Sequence, residues 1–227
     1  MDKRRTSPKQ LGVIPSSNNA ENCVASKAML FGESRKSFNW SFKLDRINDY
    51  AYQNDFLSKE ECQIIVKLGK SKRLLQGKVN NKASVEANVR KSGVSWLAPS
   101  DNLEWLYRRL TDTITALNKR FFGFELYGIQ EGLQFTNYKA PDGKYDYHMD
   151  RSFDYQIRKL SITIQLTDPK DYTGGELELL TGTNPIAMEK KRGKLIIFPS
   201  FMLHRVNPVT KGERNSLVIW IAGSQFK

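Results

Sequence analysis

Apolar residues recur along this chain with two different periods, and the change falls near Gly128. Before it the period is helical. The run Leu57-Ser58-Lys59-Glu60-Glu61-Cys62 predicts a helix start. Ser58 as N-cap and Glu61 form a capping box, and Leu57 is placed to staple onto Cys62. This helix is predicted to reach about residue 68, with Ile64, Ile65 and Leu68 on one face. A second is predicted from Asp101, with Glu104 completing another capping box. Leu103, Leu106, Tyr107, Leu110, Ile114 and Leu117 fit its 3.6-residue period. Residues 40–47 and 89–97 have strand character, the latter carrying Arg90, and the basic, polar stretch 70–86 predicts a loop.

After Gly128 the period becomes 2. In residues 130–139, Gln134, Thr136 and Tyr138 share one face, and Phe135 and Asn137 the other. A polar inward face suits a cavity holding a charged ligand better than a core. Residues 140–143 predict a turn and 145–150 a strand. Residues 151–157 predict a loop, and 158–167 a strand with Leu160, Ile162, Ile164 and Leu166 opposite Ser161, Thr163 and Gln165. Further strands are predicted at 176–180, 186–189, 194–198, 204–207 and 215–222. About eight short strands at close turn spacing, with no interleaved helices, argue for a jelly roll or barrel. The fold class is mainly β with flanking helices, the two helices of the first half buttressing the outside of the sheet.

Composition adds the organisation. Residues 1–40 are polar, basic and rich in Ser and Asn, and predict a loosely attached arm, while 41–227 predict one domain with its β-core at about 128–226. An apolar content of 39% suffices for one good core. Nothing approaches ~18 consecutive apolar residues, so no membrane span is expected. The N-terminus has charge but no apolar stretch behind it and does not read as a secretory signal. Two cysteines, Cys23 and Cys62, give no disulfide framework, which predicts a reducing, cytoplasmic setting. The net charge of +12 biases partners toward acidic ones: nucleic acid, a ribonucleoprotein or an acidic peptide.

The candidate chemistry rests on the two histidines of the chain. If His148 and Asp150 lie on a strand, both point to one face. His204 then closes a triad of two imidazoles and a carboxylate, which suits a non-heme Fe(II) with open positions for a co-substrate and O2. Arg214 follows closely enough to return on the next strand and offer its guanidinium to a ligand carboxylate. Ser216, two residues on, shares its face, as does Trp220. Arg90, Arg151 and Arg158 are placed to attract an acidic substrate.

Tyr138, Gly143, Tyr145, His148 and Asp150, then Gly174-Gly175-Glu176-Leu177, then Pro199 and His204-Arg205-Val206 through Arg214, resemble the Fe(II)/2-oxoglutarate dioxygenases of the prolyl 4-hydroxylase group. The likeness is greatest to bacterial PKHD-type enzymes and covers about residues 50–226. The resemblance implies a double-stranded β-helix, Fe(II) at His148, Asp150 and His204, and 2-oxoglutarate held by Arg214 with Tyr138 against it. It implies O2 as oxidant, ascorbate as reductant, release of succinate and CO2, and hydroxylation of an unactivated C–H bond, on a prolyl residue of a protein or peptide. Asp150 argues for hydroxylation, since halogenases of this fold lose the carboxylate. The oxygen-sensing members carry a second tyrosine where Gln165 stands here. Gln165 is therefore expected, by that resemblance, to be a co-substrate contact of altered geometry.

Three other readings stay open: hydroxylation of a free amino acid or small molecule, oxidative nucleic-acid demethylation, and a non-catalytic cupin-like metal module. Demethylases typically place a second arginine shortly after the anchor, and residues 215–220 contain none.

Overall fold

The computed structural model describes residues 47–77, 88–151 and 157–225, together with the two-residue strand β1 (Leu11–Gly12). The expectation of an arm over 1–40 otherwise lies outside the described residues. Two helices pack on a large sheet, and a smaller sheet covers its other face.

Helix α1 (Lys59–Ser71) starts at the predicted capping box. The Ser58 amide donates to Glu61 Oε2 at 2.8 Å, and the Glu61 amide donates to Ser58 Oγ at 3.2 Å. It buries Cys62, Ile65 and Gly69. Ile64, expected on that face, is 58% exposed, because the buried stripe runs through Cys62 and Gly69 instead. Helix α2 (Glu104–Phe121) buries Leu106, Leu110, Ile114, Leu117 and Phe121. Its predicted capping box does not form. Asp101 lies inside a 3-10 turn (Asp101–Leu103), and the Glu104 carboxylate pairs with Arg108 one turn on. Arg109 ties the helices together with a bidentate bond to Glu61, at 2.8 and 2.7 Å.

The strands are β2 (Ala51–Gln53), β3 (Leu75–Gln76), β4 (Arg90–Lys91), β5 (Gly93–Leu97), β6 (Leu126–Ile129), β7 (Leu133–Lys139) and β8 (Gly143–His148). They continue as β9 (Arg158–Gln165), β10 (Tyr172–Gly174), β11 (Leu177–Leu179), β12 (Ile186–Ala187), β13 (Leu195–Pro199) and β14 (His204–Gly223). The large sheet runs β1-β2-β13-β9-β14-β7-β5-β3. The smaller one sets β8 and β11 beside the first half of β14, with β4 on β8, β12 on β11, and β10 on β14.

Several expected elements differ. Residues 204–207 and 215–222 are one strand rather than two, because β14 leaves the small sheet and joins the large one without a break in pairing. The stretch 89–97 divides at Ser92 into β4 and β5. Of 70–86, helix α1 takes the start, Leu75–Gln76 form β3, and residues 78–86 lie outside the described part. The strand expected at 40–47 lies outside it except for Ile47, which is not in a strand.

Alternation on the large sheet separates two cores. One face sends Phe135, Ile162, Ile164, Leu195, Ile197, Leu217 and Ile219 toward α1 and α2. The other turns Tyr138, Ile196 and Phe198 into the space between the sheets, where Tyr172, Leu177, Leu179, Val206 and Val209 close it. The same inner face carries Gln165, Arg214 and Ser216, all buried. The two facing sheets make a jelly roll. Among the described residues, no helix is long and apolar enough to cross a membrane.

Candidate active site

His148 and His204 face each other as cross-strand partners on β8 and β14. Their rings lie 4.1 Å apart. Asp150 lies beyond the end of β8, where its amide donates to the Ser200 carbonyl at 3.0 Å. The expected strand position is thus replaced by irregular chain just past the strand end, yet its carboxylate still faces both imidazoles. Asp150 Oδ1 is 3.7 Å from His148 Nε2, and Oδ2 is 3.5 Å from His204 Nε2. One ligand atom from each of the three residues lies within 4.8 Å of the others.

Both imidazoles are oriented from behind. His148 Nδ1 meets the Asp146 carbonyl at 2.7 Å, and His204 Nδ1 meets the Met202 carbonyl at 2.9 Å. A carbonyl only accepts, so each Nδ1 carries the proton and each Nε2 keeps a lone pair for a metal. Burial, together with His204, pushes His148 down to about 3. Burial draws Asp150 upward, but His204, His148, Ser161 and Trp220 outweigh it and hold its carboxyl down to about 2. At neutral pH the set is a neutral His148 imidazole beside an ionised carboxylate, a donor combination suited to a divalent ion.

A bulge makes this arrangement. Three residues of β14, His204 to Val206, oppose four of β8, Tyr145 to His148. The extra residue brings Tyr145 onto the face of His148, and the rings stack at 3.4 Å. Arg90, buried, lies 4.5 Å over the other ring of that pair, Tyr145, and donates from Nε to Ser92 Oγ at 2.9 Å.

Deeper on the same inner face, Arg214 is 1% exposed. It donates to Gln165 Oε1 at 3.0 Å and to Ser216 Oγ at 3.4 Å, and lies 5.3 Å from the Tyr138 ring. Burial raises the Tyr138 and Tyr172 phenols above the usual tyrosine range, with Arg214 pulling both the other way, so both remain O–H donors. Gly175, with φ of 67°, leaves room for the guanidinium stem: a Cβ there would sit 3.1 Å from Arg214 Cδ and 2.9 Å from Val209 Cγ2. Arg214 Nε and Gln165 Nε2 are buried donors without a partner in the protein. Buried donors of this kind are normally satisfied. Here one belongs to the guanidinium and the other lies on the side chain that bonds it, an arrangement suited to an anionic oxygen ligand.

Of the side chains expected at the substrate, Trp220 is 8% exposed and turns its indole N–H toward the Asp150 carboxylate without closing a hydrogen bond of standard geometry. Arg158 is already engaged. It holds Glu131 at 2.7 and 2.6 Å, lies 3.8 Å over the Trp220 ring and reaches the Asp150 carbonyl at 3.4 Å. Arg151 is exposed, and its amide shares the Ser200 carbonyl with Asp150. The sequence reading missed Ser161, Ser200 and Tyr172. Ser161 had a usable signal, its place on the polar face of an alternating strand. Ser200 and Tyr172 had none.

The 2OG-Fe(II) oxygenase superfamily profile matches residues 133–222, which include His148, Asp150, His204, Gln165, Arg214 and Ser216. A PKHD-type hydroxylase of Aliarcobacter butzleri is 33% identical over 176 residues, covering 74% of this chain and 75% of that protein. One of Teredinibacter turnerae is 40% identical over 85 residues, covering 35% of this chain and 38% of that protein, so that match spans little more than a third of the relative's length. Among solved structures, a Pseudomonas putida prolyl-4-hydroxylase superposes with a TM-score of 0.61 at 22% identity, over 78% of this chain and 94% of that one. A prolyl hydroxylase from Trichoplax adhaerens, in complex with a hypoxia inducible factor peptide fragment, superposes with a TM-score of 0.66 at 18% identity, over 88% and 92%. These last two likenesses concern the fold.

Proposed function

This chain belongs to the PKHD-type hydroxylases of the 2OG-Fe(II) oxygenase superfamily, and on that footing we propose that it is an Fe(II)- and 2-oxoglutarate-dependent dioxygenase hydroxylating a prolyl residue of a protein or peptide. The observation that carries the reading is the triad itself, with both Nδ1 atoms tied to carbonyls so that both Nε2 lone pairs meet the Asp150 carboxylate. His148, Asp150 and His204 would hold Fe(II). Arg214 would pair with the distal carboxylate of 2-oxoglutarate, with Gln165, Ser216 and Tyr138 as hydrogen-bond partners. Fe(II), 2-oxoglutarate and O2 together supply the oxidising equivalent that leaves succinate, CO2 and a hydroxylated carbon, and ascorbate is the reductant that keeps the metal ferrous.

The protein's own work is placement. The carbonyls of Asp146 and Met202 fix the imidazole tautomers. The buried guanidinium of Arg214 would hold the distal carboxylate of the co-substrate on the inner face that also carries the metal-ligand candidates. The apolar lining of Ile196, Phe198 and Val206 limits water beside the reacting atoms. Of the proposed substrate contacts, Trp220 turns its indole toward Asp150, and Arg90 lies over the Tyr145 ring that stacks on His148. Residues 41–227 would act as one dioxygenase domain, in the cytoplasm, on an acidic or ribonucleoprotein-borne substrate suited to a charge of +12.

Anaerobic titration with Fe(II) and 2-oxoglutarate tests the cofactor chemistry. The expected result is a weak visible charge-transfer band, lost in His148→Ala and Arg214→Ala. Iron bound by wild-type protein with no band on adding 2-oxoglutarate would refute it. Succinate release stimulated by prolyl peptides, and not by free amino acids or methylated oligonucleotides, tests the substrate class.

A further inference from the structure

Asp150 is a metal-ligand candidate without a strand to hold it. Its amide donates to Ser200 O at 3.0 Å, and its carbonyl accepts from Arg158 Nη1 at 3.4 Å. Ser200 is itself tied to β9, its amide donating to Lys159 O at 2.9 Å and its hydroxyl donating to Arg158 O. These bonds fix the backbone and leave the carboxylate free to turn about its last torsion. Among the described residues, one side-chain hydrogen bond of standard geometry addresses that rotation, with the Trp220 indole turned toward the same carboxylate. Ser161, in the middle of β9 and 1% exposed, donates from Oγ to Asp150 Oδ2 at 2.7 Å. The distance is typical of a charge-assisted O–H bond to a carboxylate.

We propose that Ser161 is a positioning residue that keeps Asp150 a one-oxygen ligand, holding Oδ2 so that Oδ1 alone is offered to the metal. The proposal rests on the reading of the triad as an Fe(II) site. Its chemical consequence follows from counting positions. A facial triad leaves three of six octahedral positions open. A 2-oxo acid chelating through its ketone and carboxylate takes two, and O2 needs the third. A carboxylate that swings to bind through both oxygens takes one of those three. Oδ2 lies only 3.5 Å from His204 Nε2, so it is close enough to the centre for that second bond. The Ser161 hydroxyl competes for the same oxygen. Serine is short enough to fit beneath Trp220, its cross-strand neighbour on β14.

The test uses Co(II), a redox-quiet stand-in with visible absorption, on the full chain. Wild type, Ser161→Ala, Ser161→Thr and Ser161→Val are compared for Co(II) absorption, release of Co(II) to a chelator, and 2-oxoglutarate affinity of the Co(II) protein. Loss of a partner behind a metal ligand typically costs about 10- to 100-fold in metal affinity. The expected result is altered Co(II) absorption and weakened 2-oxoglutarate binding in Ser161→Ala, with release faster by about that factor and Thr restoring all three. A Ser161→Ala protein matching wild type in all three would overturn the proposal while leaving the triad's role intact. Should Ser161→Ala not fold, Thr and Val, alike in shape and different in the hydroxyl, decide it: equal behaviour refutes. Wild-type protein that takes up neither Co(II) nor Fe(II) removes the triad reading, and this inference with it.

Discussion

Gln165 sits directly across from Ser216 on neighbouring strands, with its carbonyl oxygen on Arg214 and its amide nitrogen unpaired in the interior. That orientation would divide its roles: one end aims the guanidinium, and the other would be a donor for the co-substrate we propose. A hydrogen bond to a charged group contributes about 1.5–3 kcal/mol, or roughly 10- to 100-fold in Kd. Gln165→Ala is expected to weaken 2-oxoglutarate binding by that order in calorimetry while leaving Co(II) affinity unchanged. Gln165→Glu should weaken it further, since it sets a carboxylate against a carboxylate. His148 gives a pH dependence. Its folded value is pushed down to about 3, against an ordinary value near 6.5, so the unfolded chain takes the proton first as pH falls. The stability this group carries is full above about pH 6.5 and is lost progressively as pH falls toward its folded value. The urea midpoint of the metal-free protein is expected to drop from pH 7.5 to pH 5, and His148→Gln should flatten that slope.

Helix α1 approaches β7 closely at Gly69. A Cβ on Gly69 would lie 2.2 Å from the Phe135 ring, inside any allowed contact. Glycine within a helix costs about 1 kcal/mol relative to alanine, so propensity alone would make Gly69→Ala stabilising. Overpacking a buried site costs about 1–3 kcal/mol, and here there is no flexible end to move aside, so the steric cost wins. Gly69→Ala is expected to lower the urea midpoint without changing metal affinity. Adding Phe135→Leu should return part of the loss, a coupling a double-mutant cycle reads directly. The capping boxes teach a related point. Ser58 and Glu61 sit where the chain enters α1 abruptly, and the box forms. Asp101 and Glu104 have the same spacing, but a 3-10 turn occupies that entry and Arg108 takes the carboxylate.

Across the whole molecule, β14 links the sites. Its first half sets His204 in the small sheet, and its second half sets Arg214, Ser216 and Trp220 in the large one. A ligand gripping both halves should therefore stabilise the fold as a unit. At 100 times Kd a ligand adds about 2.7 kcal/mol, several degrees in Tm for a domain of this size. Adding Co(II) and then 2-oxoglutarate under anaerobic conditions is expected to raise Tm in two steps. In Arg214→Ala only the first step should remain. A 2-oxoglutarate step without metal would contradict the coupling.

Local chemistry settled much of this protein in advance. Period-2 alternation put Arg214 with Ser216, and Ser161 with Gln165, on buried polar faces, because side-chain direction along a strand depends on position alone. The scarcity of histidine marked His148 and His204, and the box at Ser58 marked α1. What tertiary structure decided depends on pairing between distant strands. The bulge between Tyr145 and His148 exists only because β14 lies opposite. Asp150 reaches the triad from irregular chain pinned by Ser200, a residue with no pattern to betray it. That β14 is one strand shared by two sheets follows from partners on both, and no segment of sequence encodes its neighbours.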